Sequence, residues 1–312
     1  MTIKPVLLTF IFIILICPPQ PASGSDAGIC DQYISIVQPD NSKTRNDIPY
    51  GRGLLWKIEA SNGKFIHLFG TMHSQDKLVT SIPPEVRLHL VKSSLFVMEV
   101  LLDEEANRYF SEAIFYESGE KLKQLLDPAI YAKLENIVTD YGVSKVMLPR
   151  LKPWAAFTLV GRPKPVHAPT QDLALMQLAL SANINIGSLE TMNDLVQVLE
   201  SIPVSDQVTI LNDTVCNHGQ IIRDARELID LYIQRDLAGI VLFNQKPHYD
   251  EGVYDRFVNL VLYQRNKRMV EKIEQYISMG NVFIAVGASH LPDKSGILDL
   301  LSEKGYVVIP VF

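Results

Sequence analysis

The chain has 312 residues, 47% of them hydrophobic, and a formal net charge of −6. That is enough apolar material for one large domain or two ordinary ones. The acidic balance gives no footing for a nucleic-acid partner.

Lys4 precedes an apolar run, Pro5 to Ile16, which Pro18, Pro19 and Pro21 break before Ala22-Ser23-Gly24. This is the layout of a secretory signal peptide over residues 1–24. The run is short for a full membrane span, so membrane association is expected only if the segment is retained. Cys17 follows the bulky Ile16, which argues against a lipoprotein. An exported protein, periplasmic or extracellular, is expected. Its remaining cysteines, Cys30 and Cys216, either pair or stay as two thiols in an oxidising compartment. Neither sits in a nucleophile signature.

Residues 25–49 read as a polar, mostly irregular lead-in to a domain over 50–312. Leu54 to Ala60 reads as a strand, Asn62-Gly63 as a hairpin turn, and Lys64 to Phe69 as the returning strand. Gly70-Thr71-Met72-His73 follows directly. A helix from Pro83-Pro84-Glu85 to about Ser93 leads to an apolar strand, Leu95 to Val100, which carries Glu99. A largely helical middle runs to about Leu180. A short strand, Asn183 to Leu189, ends at Glu190. Further amphipathic segments reach Ser278, with Arg265-Asn266 opening the last of them. Val282 to Val286 is again a strand, ending in Gly287-Ala288-Ser289-His290. A helix from about Ser295 to Glu303 and a strand near Tyr306 to Val311 close the chain.

The pattern strand–GxxH–loop–helix–strand therefore occurs twice. A glycine relieves crowding where a chain turns off a strand, and ligands of α/β sheets bind beyond the strands' carboxyl ends. Glu99 falls in a buried-looking strand, where a carboxylate is costly unless paired or bound to metal. Aligning the two return strands sets Glu99 against Pro310, so one half supplies the acid. His73, Glu99 and His290 form a plausible open metal site. Such N/O donors suit Zn, Mn, Co or Fe(II) without choosing among them. A bound metal would lower the pKa of a water and polarise a carbonyl. Arg265 would stabilise an oxyanion or anchor a carboxylate, with Asn266 orienting it. Two alternatives use the same residues. One is a metal-free esterase with a histidine base. The other is a peptide- or haem/iron-binding protein without turnover. His67 alternates with apolar neighbours and reads as packed in or beside the sheet. His89, His167, His218 and His248 show no partner pattern.

Leu54-Leu55-Trp56-Lys57-Ile58, the two GxxH motifs, Glu99, Leu189-Glu190-Thr191 and Gln264-Arg265-Asn266 occur in an order that resembles the TraB/PrgY/GumN family. That family includes the TIKI metalloproteases and is similar more distantly to erythromycin-esterase and ChaN-like proteins. The resemblance covers about residues 50–312. It implies an α/β fold with a mixed central sheet built from two related halves, here with a large helical insertion. It also implies a metal-dependent hydrolase of peptides or other small exported substrates. His73, Glu99 and His290 match the family's metal or catalytic positions, and Arg265 and Asn266 match its Arg-Asn motif. Asp172 and Glu190 match weaker acidic positions. Gln264 stands where the family often has Glu, and the approach to Asp172 is not the usual Gly-rich one.

Overall fold

The computed structural model describes residues 28–33, 43–119, 121–246 and 248–312. The expected signal peptide and much of the lead-in lie outside them. Among the described residues no helix is long and apolar enough to cross a membrane.

Among the described residues six strands form one mixed sheet: β1 Leu55–Glu59, β2 Phe65–Thr71, β3 Leu95–Val100, β4 Asn185–Glu190, β5 Val282–Gly287 and β6 Val307–Pro310. Their spatial order is β4-β3-β5-β2-β1-β6. β1 runs antiparallel to both β2 and β6, whereas β2, β5, β3 and β4 are mutually parallel. The hairpin expected at Asn62-Gly63 joins β1 to β2, with Gly63 at φ 81°. Parallel strands covered on both faces are apolar throughout, and every residue of β5 is buried.

The two repeated units interlock. β5 of the second unit lies between β2 and β3 of the first, so the two GxxH motifs leave adjacent parallel strands. The return strands differ in fate. β3 flanks β5 inside the sheet, while β6 is the exposed edge beyond β1. Only the former can deliver a carboxylate to the centre, which accounts for Glu99 having a proline as its counterpart.

The helical middle builds its own apolar cluster around Phe110, Trp154, Phe157 and Phe257, separate from the sheet's cluster around Phe69, Phe96 and Phe283. Cys30 and Cys216 form a disulfide. It ties the described segment 28–33 to the helix Val204–Cys216. His67 is buried in β2 and its ring lies 4.1 Å from that of His89.

Candidate active site

Four parallel strands present their carboxyl ends side by side, and each delivers one residue of a buried polar cluster. Glu190 ends β4, Glu99 is next to last in β3, Gly287 ends β5, and His73 lies two residues beyond β2. His290 closes the short 3-10 turn Ala288–His290 that follows β5. The register sets Thr71 beside Gly287 and Val100 beside Glu190.

The two glycines of the repeated motif serve different needs. A Cβ at Gly70 would stand 2.8 Å from Leu291 Cδ1 and 3.1 Å from the Ala288 backbone. Gly70 thus allows close packing of β2 against the second motif's turn. A Cβ at Gly287 would stand 3.4 Å from Glu99 Oε2, 3.4 Å from His290 Cδ2 and 3.6 Å from His73 Nε2. Gly287 therefore leaves open the point on which the carboxylate and both imidazoles converge.

Each imidazole is anchored from behind. His73 Nδ1 lies 2.5 Å from Asp172 Oδ2, and Thr71 Oγ1 donates to Asp172 Oδ1 at 2.8 Å. An ionised carboxylate only accepts, so Nδ1 carries the proton and Nε2 presents a lone pair. That Nε2 is buried with no hydrogen-bond partner among the described residues. His290 Nδ1 lies 2.5 Å from Asn266 Oδ1, while Asn266 Nδ2 donates to the Ser295 carbonyl at 2.7 Å. The second bond fixes the amide's orientation, so His290 also carries its proton on Nδ1. Its Nε2 is 3.8 Å from Glu99 Oε1.

Glu99 is buried, and both oxygens are engaged. Oε1 accepts from Arg265 Nη2 at 2.5 Å, and Oε2 accepts the Gly287 N–H at 2.9 Å. Burial alone would push its carboxyl up. The opposing charge of Arg265, with His290, His73 and the Gly287 N–H, takes it down to about 2. Glu99 is thus a fixed anion at neutral pH, not an acid. Burial pushes the His290 imidazole down to about 4, against the pull of Glu99. Burial also opposes protonation of His73, but Asp172 outweighs it and the pKa is raised.

Arg265 has no solvent exposure. Its Nε and Nη2 donate to Glu190 at 2.9 and 2.5 Å, Nη2 also donates to Glu99, and Nη1 donates to the Val261 carbonyl at 3.2 Å. The guanidinium is therefore turned to two carboxylates of its own chain, not toward a substrate oxyanion. Arg265 and Asn266 stand at the start of the helix Gln264–Met279, directly after a π-helical turn, Asn259–Tyr263. Such turns recur at functional sites. Here two consecutive buried residues diverge, Arg265 toward Glu99 and Asn266 toward His290.

All five of the expected residues, His73, Glu99, Arg265, Asn266 and His290, meet in this cluster, and the weaker acidic positions Asp172 and Glu190 join it. Thr71, Gln171 and Tyr232 were not foreseen. Gln171 Oε1 accepts from the Met72 N–H and the Tyr232 hydroxyl, and so fastens the first motif to two helices. Polar residues inside helices far along the chain carry no local signal of this contact.

The residue types fit a divalent metal. Imidazoles whose far nitrogens are hydrogen-bonded are the usual form of metal-ligating histidine, and His73 Nε2 has no other partner among the described residues. Among the described residues no group of three or more His, Cys, Asp or Glu is gathered as a ready metal site.

Fold and site together define a mixed α/β protein with two histidines and an acid at the carboxyl edge of its parallel strands. Residues 54–310 match the TraB/PrgY/gumN family, and the chain belongs to it. It is 23% identical to a metalloprotease TIKI homolog of Amphimedon queenslandica, across 81% of this chain and 60% of that protein. It is also 23% identical to metalloprotease TIKI2 of Danio rerio, across 89% of this chain and 64% of that one. The chain thus spans under two thirds of the length of these curated relatives. No solved structure matches it significantly.

Proposed function

We propose that the chain is an exported, metal-dependent hydrolase acting on peptides, with His73 and His290 as metal-holding residues and Glu99 beside them. The observation that carries this reading is the pair of back-anchored imidazoles converging on the gap at Gly287. The names of the TIKI relatives support peptide cleavage. The Cys30–Cys216 disulfide supports an oxidising compartment.

When bound, the metal would supply an activated water and polarise the scissile carbonyl. The chain's own groups have distinct tasks. Asp172 and Asn266 hold the Nδ1 protons and so keep both Nε2 lone pairs available. Glu99 contributes a permanent negative charge. Arg265 is a positioning residue, which keeps Glu99 ionised and oriented through a buried network shared with Glu190.

The Asp172–His73 pair also supports a second reading, a metal-free hydrolase with His73 as general base. Elemental mass spectrometry on untagged protein decides between them, run with His73→Ala and His290→Ala and with peptidase assays in chelator. About one equivalent of a transition metal, lost in both variants, and activity lost in chelator support the metal-dependent reading. Chelator-resistant hydrolysis by metal-free protein overturns it in favour of the second. Absence of any hydrolysis by metal-loaded protein overturns both.

A further inference from the structure

A cavity of about 260 Å³ opens directly onto the site, with His290, Gly287 and Ser289 on one side. Its far wall comes from the helix Glu251–Val258, the π turn and the end of the helix Leu237–Asn244. Leu228, Ile240, Phe257 and Val261 make much of it apolar.

The polar part of the lining is one-sided. It holds three carboxylates, Glu251, Asp255 and Asp293, and no lysine or arginine. Asp293 is paired with Lys43 at 2.7 Å, and Glu251 Oε1 accepts the His248 N–H. Asp255 is exposed and its carboxylate has no ion-pair partner among the described residues. Of the two histidines on the lining, His248 adds no positive charge, since burial pushes it down to about 4. The field reaches the wall itself. The Tyr263 hydroxyl is raised by burial and then by the charges of Asp293 and Asp255.

A second observation points the same way. His248 is 4% exposed, and its Nε2 lies 3.3 Å from the Asn244 carbonyl. A carbonyl only accepts, so the proton is on Nε2 and Nδ1 is left as an acceptor. That Nδ1 and the Asn244 Oδ1 are both buried acceptors with no donor. The cavity thus combines apolar walls, the aromatic residues Tyr254 and Phe257, acceptors without a donor among the described residues, and three carboxylates. Lysine and arginine side chains offer the complement: an apolar stem, several N–H donors, no acceptor, and a positive charge that aromatic faces attract.

We propose that this cavity is the substrate side-chain subsite beside His290 and that it takes a basic residue of the peptide. This rests on the hydrolase reading above for its setting, but not for its test. The full chain is titrated by NMR with N-acetyl-argininamide and with N-acetyl-citrullinamide, which keeps N–H donors but lacks the charge. The arginine derivative is expected to bind about ten-fold more tightly. Asp255→Asn, an exposed change that leaves the core alone, is expected to cut that preference to about three-fold or less, in line with the modest strength of exposed ion pairs. Added salt should do the same. Equal binding of the two compounds, binding of neither, or a preference untouched by Asp255→Asn overturns the proposal. Matched arginine and citrulline peptides then separate two failures. Cleavage of both at one rate removes the subsite and leaves the hydrolase. Selective binding with no cleavage removes the hydrolase and leaves the subsite.

Discussion

Asp172 accepts a hydrogen bond from His73 at 2.5 Å although 99 residues separate them. The acid sits in the first turn of the helix Gln171–Ser181, and the histidine lies just past β2. The contact fixes which imidazole nitrogen faces the gap at Gly287. Asp172→Asn is expected to keep the shape and lose the control of tautomer. Loss of such an outer partner typically costs about 10–100-fold in metal affinity or activity. In the same variant the His73 pKa, read by NMR, should fall, since Asp172 is what holds it up.

Gly287→Ala separates the site from the fold. The added methyl would make contacts of 3.4 Å and longer, and the residue's φ of −54° suits alanine. Stability should change by less than about 1 kcal/mol. The methyl would nevertheless occupy the point where Glu99, His73 and His290 converge. Metal uptake and hydrolysis should drop sharply while the melting temperature holds. Full activity in this variant would remove the gap from the mechanism.

Arg265 lies between two buried carboxylates, so removing it should be far worse than removing an ordinary side chain. Arg265→Met leaves Glu99 without its cation and Glu190 with only the more distant Arg268, at 3.6 Å. Breaking a buried pair in this way costs about 3–5 kcal/mol. Urea unfolding measures it. Glu190→Gln removes one negative charge and leaves the Glu99 bond in place, so its cost should be smaller. Equal costs would show that Arg265 acts mainly through Glu190.

Cys30 and Cys216 are 186 positions apart in sequence. A native disulfide is typically worth about 2–5 kcal/mol. Adding a reductant should lower the melting temperature of the wild type, and should do nothing further to a Cys30→Ala/Cys216→Ala variant.

Two histidines outside the metal-holding set make stability depend on pH. Burial, chiefly, pushes His67 and His248 down to about 4. Unfolding returns each to about 6.5. Between those values the unfolded chain binds more protons, so stability falls as pH drops from about 6.5 to 4. Above 6.5 these two contribute no slope. His73 has the opposite sign: its raised pKa adds stability that is full below 6.5 and lost as pH rises through the folded value. Thermal unfolding across this range checks the first effect, and His67→Phe should flatten part of it.

Much of the sheet was legible because β-strands and GxxH turns leave local marks. Leu95–Val100, apolar but for Glu99, matches the expected strand in both bounds. The hairpin followed from Asn62-Gly63. The π turn at Asn259–Tyr263 leaves no mark of its own within an amphipathic segment, since one extra residue in a single turn does not disturb the pattern enough to show. The short helix Lys77–Thr80 falls in a stretch that reads as polar loop, and its 4 residues are too few for a hydrophobic period to be recognised.

The sequence by itself determined the candidate site residues: two histidines after strands and an acid within one, types that elementary desolvation makes costly unless they are used. The tertiary structure alone decided how they are used. Strand order put the second unit's β5 inside the first, because parallel strands are free to pair with neighbours remote in sequence. That order made Arg265 a brace for Glu99 and brought Asp172 behind His73 and Asn266 behind His290. It also paired Cys30 with Cys216. Each is a long-range contact, fixed by which apolar faces bury against one another and invisible to any pattern of local spacing.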